Sequence, residues 1–156
     1  MNISVFRIDE RLIHGQIVTA WIADAQASQI IVADDKAVND EFTISLLQLA
    51  TPKNIELRIL SINDAINLIK EDSSDKNTLL ICRGPKEALQ LIDGDIGLKT
   101  INVGNIGMRK GKKSILPYIW VDDEEVKNLK LLSERGIALD ARSVPSDKSQ
   151  NIIDLL

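Results

Sequence analysis

A chain of 156 residues, 44% hydrophobic and 27% charged, has the material for one domain with a real core and an ordinary solvated surface. A net charge of −4 and a pI near 5.0 exclude nonspecific nucleic-acid binding as the main task, and 3% aromatic residues exclude a base-stacking platform. One cysteine, Cys82, and one histidine, His14, exclude a disulfide framework and a His/Cys zinc site within one chain. No apolar run approaches the ~20 residues of a membrane span, and Met1-Asn2-Ile3-Ser4 lacks the pattern of a signal peptide. The expectation is a cytoplasmic globular protein.

In chain order, Ile3 to Ile8 alternates and is rich in branched residues, which predicts a strand. Ile17, Ala20, Trp21 and Ala25 mark one face of a helix starting near His14. Gln29 to Ala33 predicts a second strand. Phe42, Leu46, Leu49 and Ala50 give the next helical face, stopped at Thr51-Pro52. A third strand is expected over Ile55 to Leu60, then a short helix on Ile62, Ala65, Ile66 and Ile69, then a polar loop from Glu71 to Asn77. Thr78 to Ile81 is a buried strand, followed by the Arg83-Gly84-Pro85 turn and a helix marked by Ala88, Leu89 and Ile92 that breaks at Asp93-Gly94.

Lys99 to Val103 predicts the fifth strand, and a glycine-punctuated basic loop runs from Gly104 to Lys113. Pro117 makes Ile115 to Val121 an edge or irregular strand. Asp122 with Glu125 resembles a capping box, Val126, Leu129 and Leu132 stripe the helix behind it, and Gly136 suits its C′ position. Ile137 to Ala141 is the last strand, and Ser146 to Leu156 a short helix or tail. Strands and helices thus alternate, as in an open parallel sheet covered on both faces. Ligand sites in such sheets gather at the carboxyl ends of the strands, here Asp9–His14, Cys82–Pro85 and Gly104–Lys113.

The first of these loops carries the most chemistry. Arg7, Asp9, Glu10 and Arg11 all lie within seven positions of His14, which opens a helix. A neutral imidazole attacks electrophiles directly, a helix N-terminus presents N–H groups and a positive dipole end, and arginine is a bidentate phosphoryl donor. Arg7 and Arg11 are costly near a strand end unless paired or bound to an anion. Asp9 and Glu10 either pair with them or, in the functional reading, Asp9 orients His14 or fixes Arg11. The bland reading of His14 is a helix cap.

Gly107 to Ser114 does not make a P-loop, since its glycines are three residues apart and a second lysine precedes the serine. Arg109, Lys110, Lys112 and Lys113 are either a solvated basic loop or a docking surface for an acidic or phosphorylated partner. No G-x-G-x-x-G occurs, so a dinucleotide cofactor has no support. Cys82 reads as buried filling, and Trp21 and Trp120 as core or interface residues.

The run Arg7-Ile8-Asp9-Glu10-Arg11-Leu12-Ile13-His14-Gly15-Gln16-Ile17-Val18, with Trp21 after it, closely resembles the active-site segment of IIB components of the bacterial phosphotransferase system, mannose/fructose/sorbose family. The resemblance extends through Ile30 to Asp35, Leu46-Leu47 with Ala50-Thr51-Pro52, Ile101-Asn102-Val103-Gly104, and Arg142 to Asp147. It implies one IIB domain over residues 1–156: an open, mostly parallel α/β sheet of about seven strands with helices on both faces and one antiparallel strand near an edge.

It further implies a sugar phosphocarrier, a protein-N(π)-phosphohistidine–sugar phosphotransferase. His14 would take a phosphoryl group on Nδ1 from a phosphorylated IIA partner and pass it to sugar held by the membrane components IIC and IID. Arg11 would neutralise phosphate oxygens, Asp9 would hold the loop or ring, and Gly15, Gln16 and Arg7 would bind phosphate. No metal or organic cofactor, no nucleic acid and no membrane insertion is expected, only peripheral association with the membrane's inner face through IIC and IID. A homodimer is left open, as is regulation of a transcription factor. The rival readings are a non-catalytic anion-binding or regulatory module on the same fold and an acid/base enzyme acting on a small sugar phosphate. Two loops depart from the family's habit, Asn105-Ile106-Gly107-Met108 and Cys82-Arg83-Gly84-Pro85.

Overall fold

The computed structural model describes residues 1–156. Six strands form one parallel sheet in the order β3-β2-β4-β1-β5-β8: β1 (Asn2–Asp9), β2 (Gln29–Ala33), β3 (Glu56–Leu60), β4 (Asn77–Cys82), β5 (Thr100–Asn105) and β8 (Ala138–Ala141). Every residue of β2 is buried, because both faces of the sheet are covered. The expected irregular strand around Pro117 is a small antiparallel hairpin instead, β6 (Lys113–Leu116) and β7 (Ile119–Val121), with Pro117 and Tyr118 at its turn. It hangs from the sheet edge by the bridge between Ile106 and Ile119.

Side-chain alternation along the strands divides the interior into two cores. Phe6, Ile8, Ile31, Ala33, Leu80 and Cys82 face one way, against Ile62 and Ala65 of α3 (Ile62–Glu71), Ala88 and Leu91 of α4 (Pro85–Asp93), and Leu129 and Leu132 of α5 (Asp123–Glu134). Ile30, Val32, Leu79 and Ile81 face the other way, against Ile17, Trp21 and Ala25 and against Leu47 of α2 (Glu41–Ala50). Helix ends follow sequence chemistry. Asp40, Ser61 and Asp122 each accept a backbone N–H from the first turn of α2, α3 and α5, and Asp122 with Glu125 completes the expected capping box. Gly136 follows α5 with φ +80°, a conformation that suits glycine.

One helical face is the reverse of the expected one. In α2, Leu47 packs into the core, whereas Phe42, Leu46 and Leu49 are 72%, 50% and 84% exposed. The helix carries two apolar sets, and Phe42-Leu46-Leu49 is the solvent-facing one.

The chain leaves β1 through a helical segment on one face and reaches β2 beyond β4. It returns through α4 on the other face to place β5 on the far side of β1. The order therefore reverses beside β1, and a crevice opens at its carboxyl end.

Candidate functional site

Phe6 and Ile8 point into one core, so Arg7 and Asp9 project from the opposite face at the end of β1. Both are fully buried. A buried carboxylate and guanidinium persist only if their polar atoms are matched, and here they are. Arg7 Nε and Nη2 donate to Asp9 Oδ2 at 3.2 and 3.0 Å. Its Nη1 donates to Asn102 Oδ1 at 2.6 Å and to the Arg142 carbonyl at 3.2 Å, and Nη2 also donates to the Ser143 carbonyl at 3.1 Å. The guanidinium lies 4.7 Å from the centroid of the Trp21 ring, whose Nε1 donates to the same Ser143 carbonyl at 2.9 Å. A Cβ at Gly104 would collide with the guanidinium, so a side chain there would have to displace Arg7.

Asp9 is the hub. Its Oδ1 accepts the Arg11 backbone N–H at 3.0 Å and Arg11 Nε at 3.2 Å, and Oδ2 accepts Arg11 Nη2 at 3.3 Å. His14 Nε2 stands 2.8 Å from Oδ2. Burial works to raise the Asp9 carboxyl, but the His14 hydrogen bond and the Arg7 and Arg11 contacts outweigh it and hold it below the usual carboxylate range. Burial lowers the Arg7 guanidinium, and Asp9 only partly restores it. An ionised carboxylate can only accept, which assigns the ring proton to Nε2. The lone pair of Nδ1 then faces the helix start, where the Gln16 backbone N–H donates to it at 3.3 Å.

The loop reaches this arrangement through Leu12, which has φ +59° and is buried together with Ile13. These two apolar anchors turn Arg11 and His14 back toward Asp9. The helix then runs from Gly15 to Asp24, with a π-helical turn at Ile17–Trp21 that buries both Ile17 and Trp21. Gly15 is exposed and has open space around it. Arg11, with a side chain 41% exposed, donates from Nη2 to Gln16 Oε1 at 3.1 Å, and the Ser143 hydroxyl approaches the same oxygen at 3.5 Å. The structure thus brings Asp9, Arg11, His14, Gly15 and Gln16 into one open site.

Two expectations about site residues change. Arg7 cannot bind phosphate, because it has no exposure and its donors are spent on Asp9, Asn102 and two carbonyls. It supports the site from beneath. Within the basic loop, Lys112 is not a docking cation, since its side chain is 9% exposed and pairs with Glu125 at 2.8 Å. Arg109 is exposed and sits 3.5 Å from Glu10, and Lys110 and Lys113 face solvent.

Sequence reasoning gave no role to Asn102, Ser143 or Trp21 at the site. Asn102 offered a signal, a polar residue centred in a strand that reads as buried. Ser143 offered none. No cluster of three or more His, Cys, Asp or Glu side chains is placed to hold a metal ion, and no helix is long and apolar enough to cross a membrane. Cys82 is fully buried at the end of β4, and burial pushes its thiol well above its ordinary value.

Residues 3–156 match a family described as the sorbose subfamily IIB component of the phosphotransferase system. Over 154 residues the chain is 34% identical to the N-acetylgalactosamine-specific phosphotransferase enzyme IIB component 1 of Escherichia coli, covering 98% of each chain. It is 32% identical to the sorbose-specific EIIB component of Klebsiella pneumoniae, covering 99% of this chain and 94% of that one. The crystal structure of the IIBSor domain of the K. pneumoniae sorbose permease superposes with a TM-score of 0.93 at 32% identity, over 99% of this chain and 96% of that one.

These matches correct one expectation. They carry a IIB phosphocarrier function, but they do not carry the phosphohistidine chemistry, or the phosphohistidine–sugar phosphotransferase class, that the sequence resemblance attached to it. Besides its one imidazole the chain holds one free thiol, that of Cys82. IIB identity therefore does not make His14 the carrier.

Proposed function

The chain belongs to the sorbose subfamily of phosphotransferase-system IIB components, and from that premise we propose that residues 1–156 form a IIB domain that handles a phosphoryl group at the loop from Asp9 to Gln16. A phosphorylated IIA protein is the donor. Sugar held by the membrane components IIC and IID is the final acceptor. The sugars named for the two relatives differ, so the sugar class is not carried over.

The observation that carries this reading is the Asp9 hub. It fixes a guanidinium, an imidazole and a helix start around one solvent-reachable point. Arg11 and the first helical N–H groups would neutralise the phosphoryl oxygens as charge develops. Asp9 keeps the ring proton on Nε2 and so keeps Nδ1 unprotonated beside that point. Cys82 offers no comparable geometry, because its Sγ is enclosed and its contact is the Gly84 carbonyl at 3.6 Å. An open site also suits a carrier that must meet two partners in turn. Of the exposed basic-loop cations Arg109, Lys110 and Lys113, Arg109 lies beside the loop, 3.5 Å from Glu10, and would be the first to meet a partner.

The test is intact-mass spectrometry after incubation with a phosphorylated IIA donor, at mildly alkaline pH, with peptide mapping of the adduct. The expected result is one phosphoryl group on the peptide spanning Asp9 to Gln16, retained in Cys82→Ala and lost on acid treatment. An adduct on Cys82 would overturn the site. No adduct from a donor shown to be active would leave a binding module.

A further inference from the structure

Asn102 lies in the middle of β5 and is gripped at both ends of its amide. Oδ1 accepts Arg7 Nη1 at 2.6 Å, while Nδ2 donates to the carbonyls of Asp140 and Arg142 at 3.2 Å each. Turned round, the amide would face a guanidinium with its NH₂ group and two carbonyls with its oxygen, so the network fixes its orientation. At 7% exposure it cannot exchange these partners for water. The Arg142 carbonyl that Asn102 holds is itself an acceptor for Arg7 Nη1. One side chain thus sets two of the contacts that locate Arg7. Gly104, two residues on, leaves the space into which the guanidinium is pressed.

We propose that Asn102 is a positioning residue of the phosphoryl site: by fixing Arg7 it holds the Asp9 carboxylate in register with His14 Nε2. The inference deepens the function proposed above and rests on it. The chain of contacts is continuous, from Asn102 Oδ1 to Arg7 Nη1, from Arg7 Nε and Nη2 to Asp9 Oδ2, and from Asp9 Oδ2 to His14 Nε2. Without the amide, Nη1 keeps only the Arg142 carbonyl, whose peptide is then held through the Ser143 N–H bond to Asp147 alone. The guanidinium can then slide, and Asp9 Oδ2 follows it, because two of the hydrogen bonds on that oxygen come from Arg7. The ring proton loses its assignment to Nε2.

The chain has a single histidine, so ¹⁵N spectra of the imidazole read this one ring without ambiguity. Two variants of the full chain separate positioning from folding. Asn102→Ala removes both ends of the amide. Asn102→Asp keeps an oxygen toward Arg7 and sets its second oxygen against the two carbonyls in place of a donor. The wild-type ring is expected to carry its proton on Nε2, Asn102→Ala to show both tautomers, and Asn102→Asp to keep the wild-type tautomer at a lower melting temperature.

Phosphoryl uptake from a saturating phosphorylated donor protein should fall at least about tenfold in Asn102→Ala, with the half-saturating donor concentration unchanged. In Asn102→Asp it should stay within about threefold of wild type. A folded Asn102→Ala chain with the wild-type tautomer and uptake rate overturns the inference, as does an Asn102→Asp chain as impaired as Asn102→Ala. If the wild-type chain takes up no phosphoryl group in the loop, the proposed function fails, while the tautomer measurement still decides what Asn102 does to the ring.

Discussion

Asp9 and Asp34 are built alike and differ in what they hold. Asp9 ends β1, and Asp34 follows directly after β2, so both sit at the carboxyl edge of the same sheet. They are 0% and 2% exposed, and each meets an arginine. Asp34 takes Arg83 Nε at 3.2 Å and Nη2 at 2.6 Å and caps the Ala37 N–H at 3.0 Å. Its work is finished within the fold. It closes a turn and pins Arg83, whose Nη1 reaches the Glu10 carbonyl at 3.5 Å. Asp9 divides two oxygens among two guanidinium groups, a backbone N–H and an imidazole, and the imidazole faces solvent in part. A strand-end carboxylate is thus a structural device at one position and, under the proposed function, a support for chemistry at the other. The difference lies in whether a solvent-reachable imidazole is among its partners.

Substitutions can break this contrast. The largest effect is expected from Asp9→Asn, which leaves the Arg7 charge buried and poorly matched. It should cost about 3 kcal/mol of unfolding free energy and lower phosphoryl uptake by about 10²-fold or more, read by denaturant titration and donor-transfer kinetics. Gly104→Ala forces a methyl group against Arg7. We expect about 1–3 kcal/mol of destabilisation together with slower uptake, because the strain is delivered to the Asp9 side. Asp34→Asn should cost about 1–2 kcal/mol through Arg83 and leave uptake near wild type. A large loss of transfer in Asp34→Asn would erase the distinction.

Arg11→Ala should barely move stability, by about 0.5 kcal/mol at most for a side chain this exposed, yet slow transfer about tenfold. A smaller effect appears in acid. The Asp9 carboxyl is depressed in the folded chain, so its stabilisation is fully present above the unfolded value of 3.8 and is lost as pH falls below it. An acid-unfolding curve of Asp9→Asn should be flatter than wild type in that range.

Much of the fold was legible because short apolar runs bounded by turn residues mark parallel strands well. The limits of β2 coincide with the apolar run Gln29–Ala33, and the capping box at Asp122 and Glu125 marks the start of α5. The hairpin around Pro117 was missed because a proline within an apolar stretch reads equally as an edge strand or as a turn. The orientation of α2 was missed because periodicity finds an apolar stripe without saying which stripe faces the sheet. Leu47, with half-buried Ile44 and Ala50 beside it, was enough to fill the core.

At the site, the grouping of Asp9, Arg11 and His14 could be read from spacing. The fate of Arg7 could not, because its acceptors Asn102, Arg142 and Ser143 lie 95, 135 and 136 residues away in sequence and meet it only through the β1–β5–β8 order.

The enclosure of Cys82 has a practical corollary. With its Sγ enclosed and its thiol held protonated, the chain presents no reactive thiol to maleimides. A new cysteine placed at a solvent-facing position, such as Leu49 or Lys110, becomes the sole site of modification. Fluorophores or spin labels can then be attached there one at a time, with the native sequence otherwise intact, to follow each partner as it docks and departs.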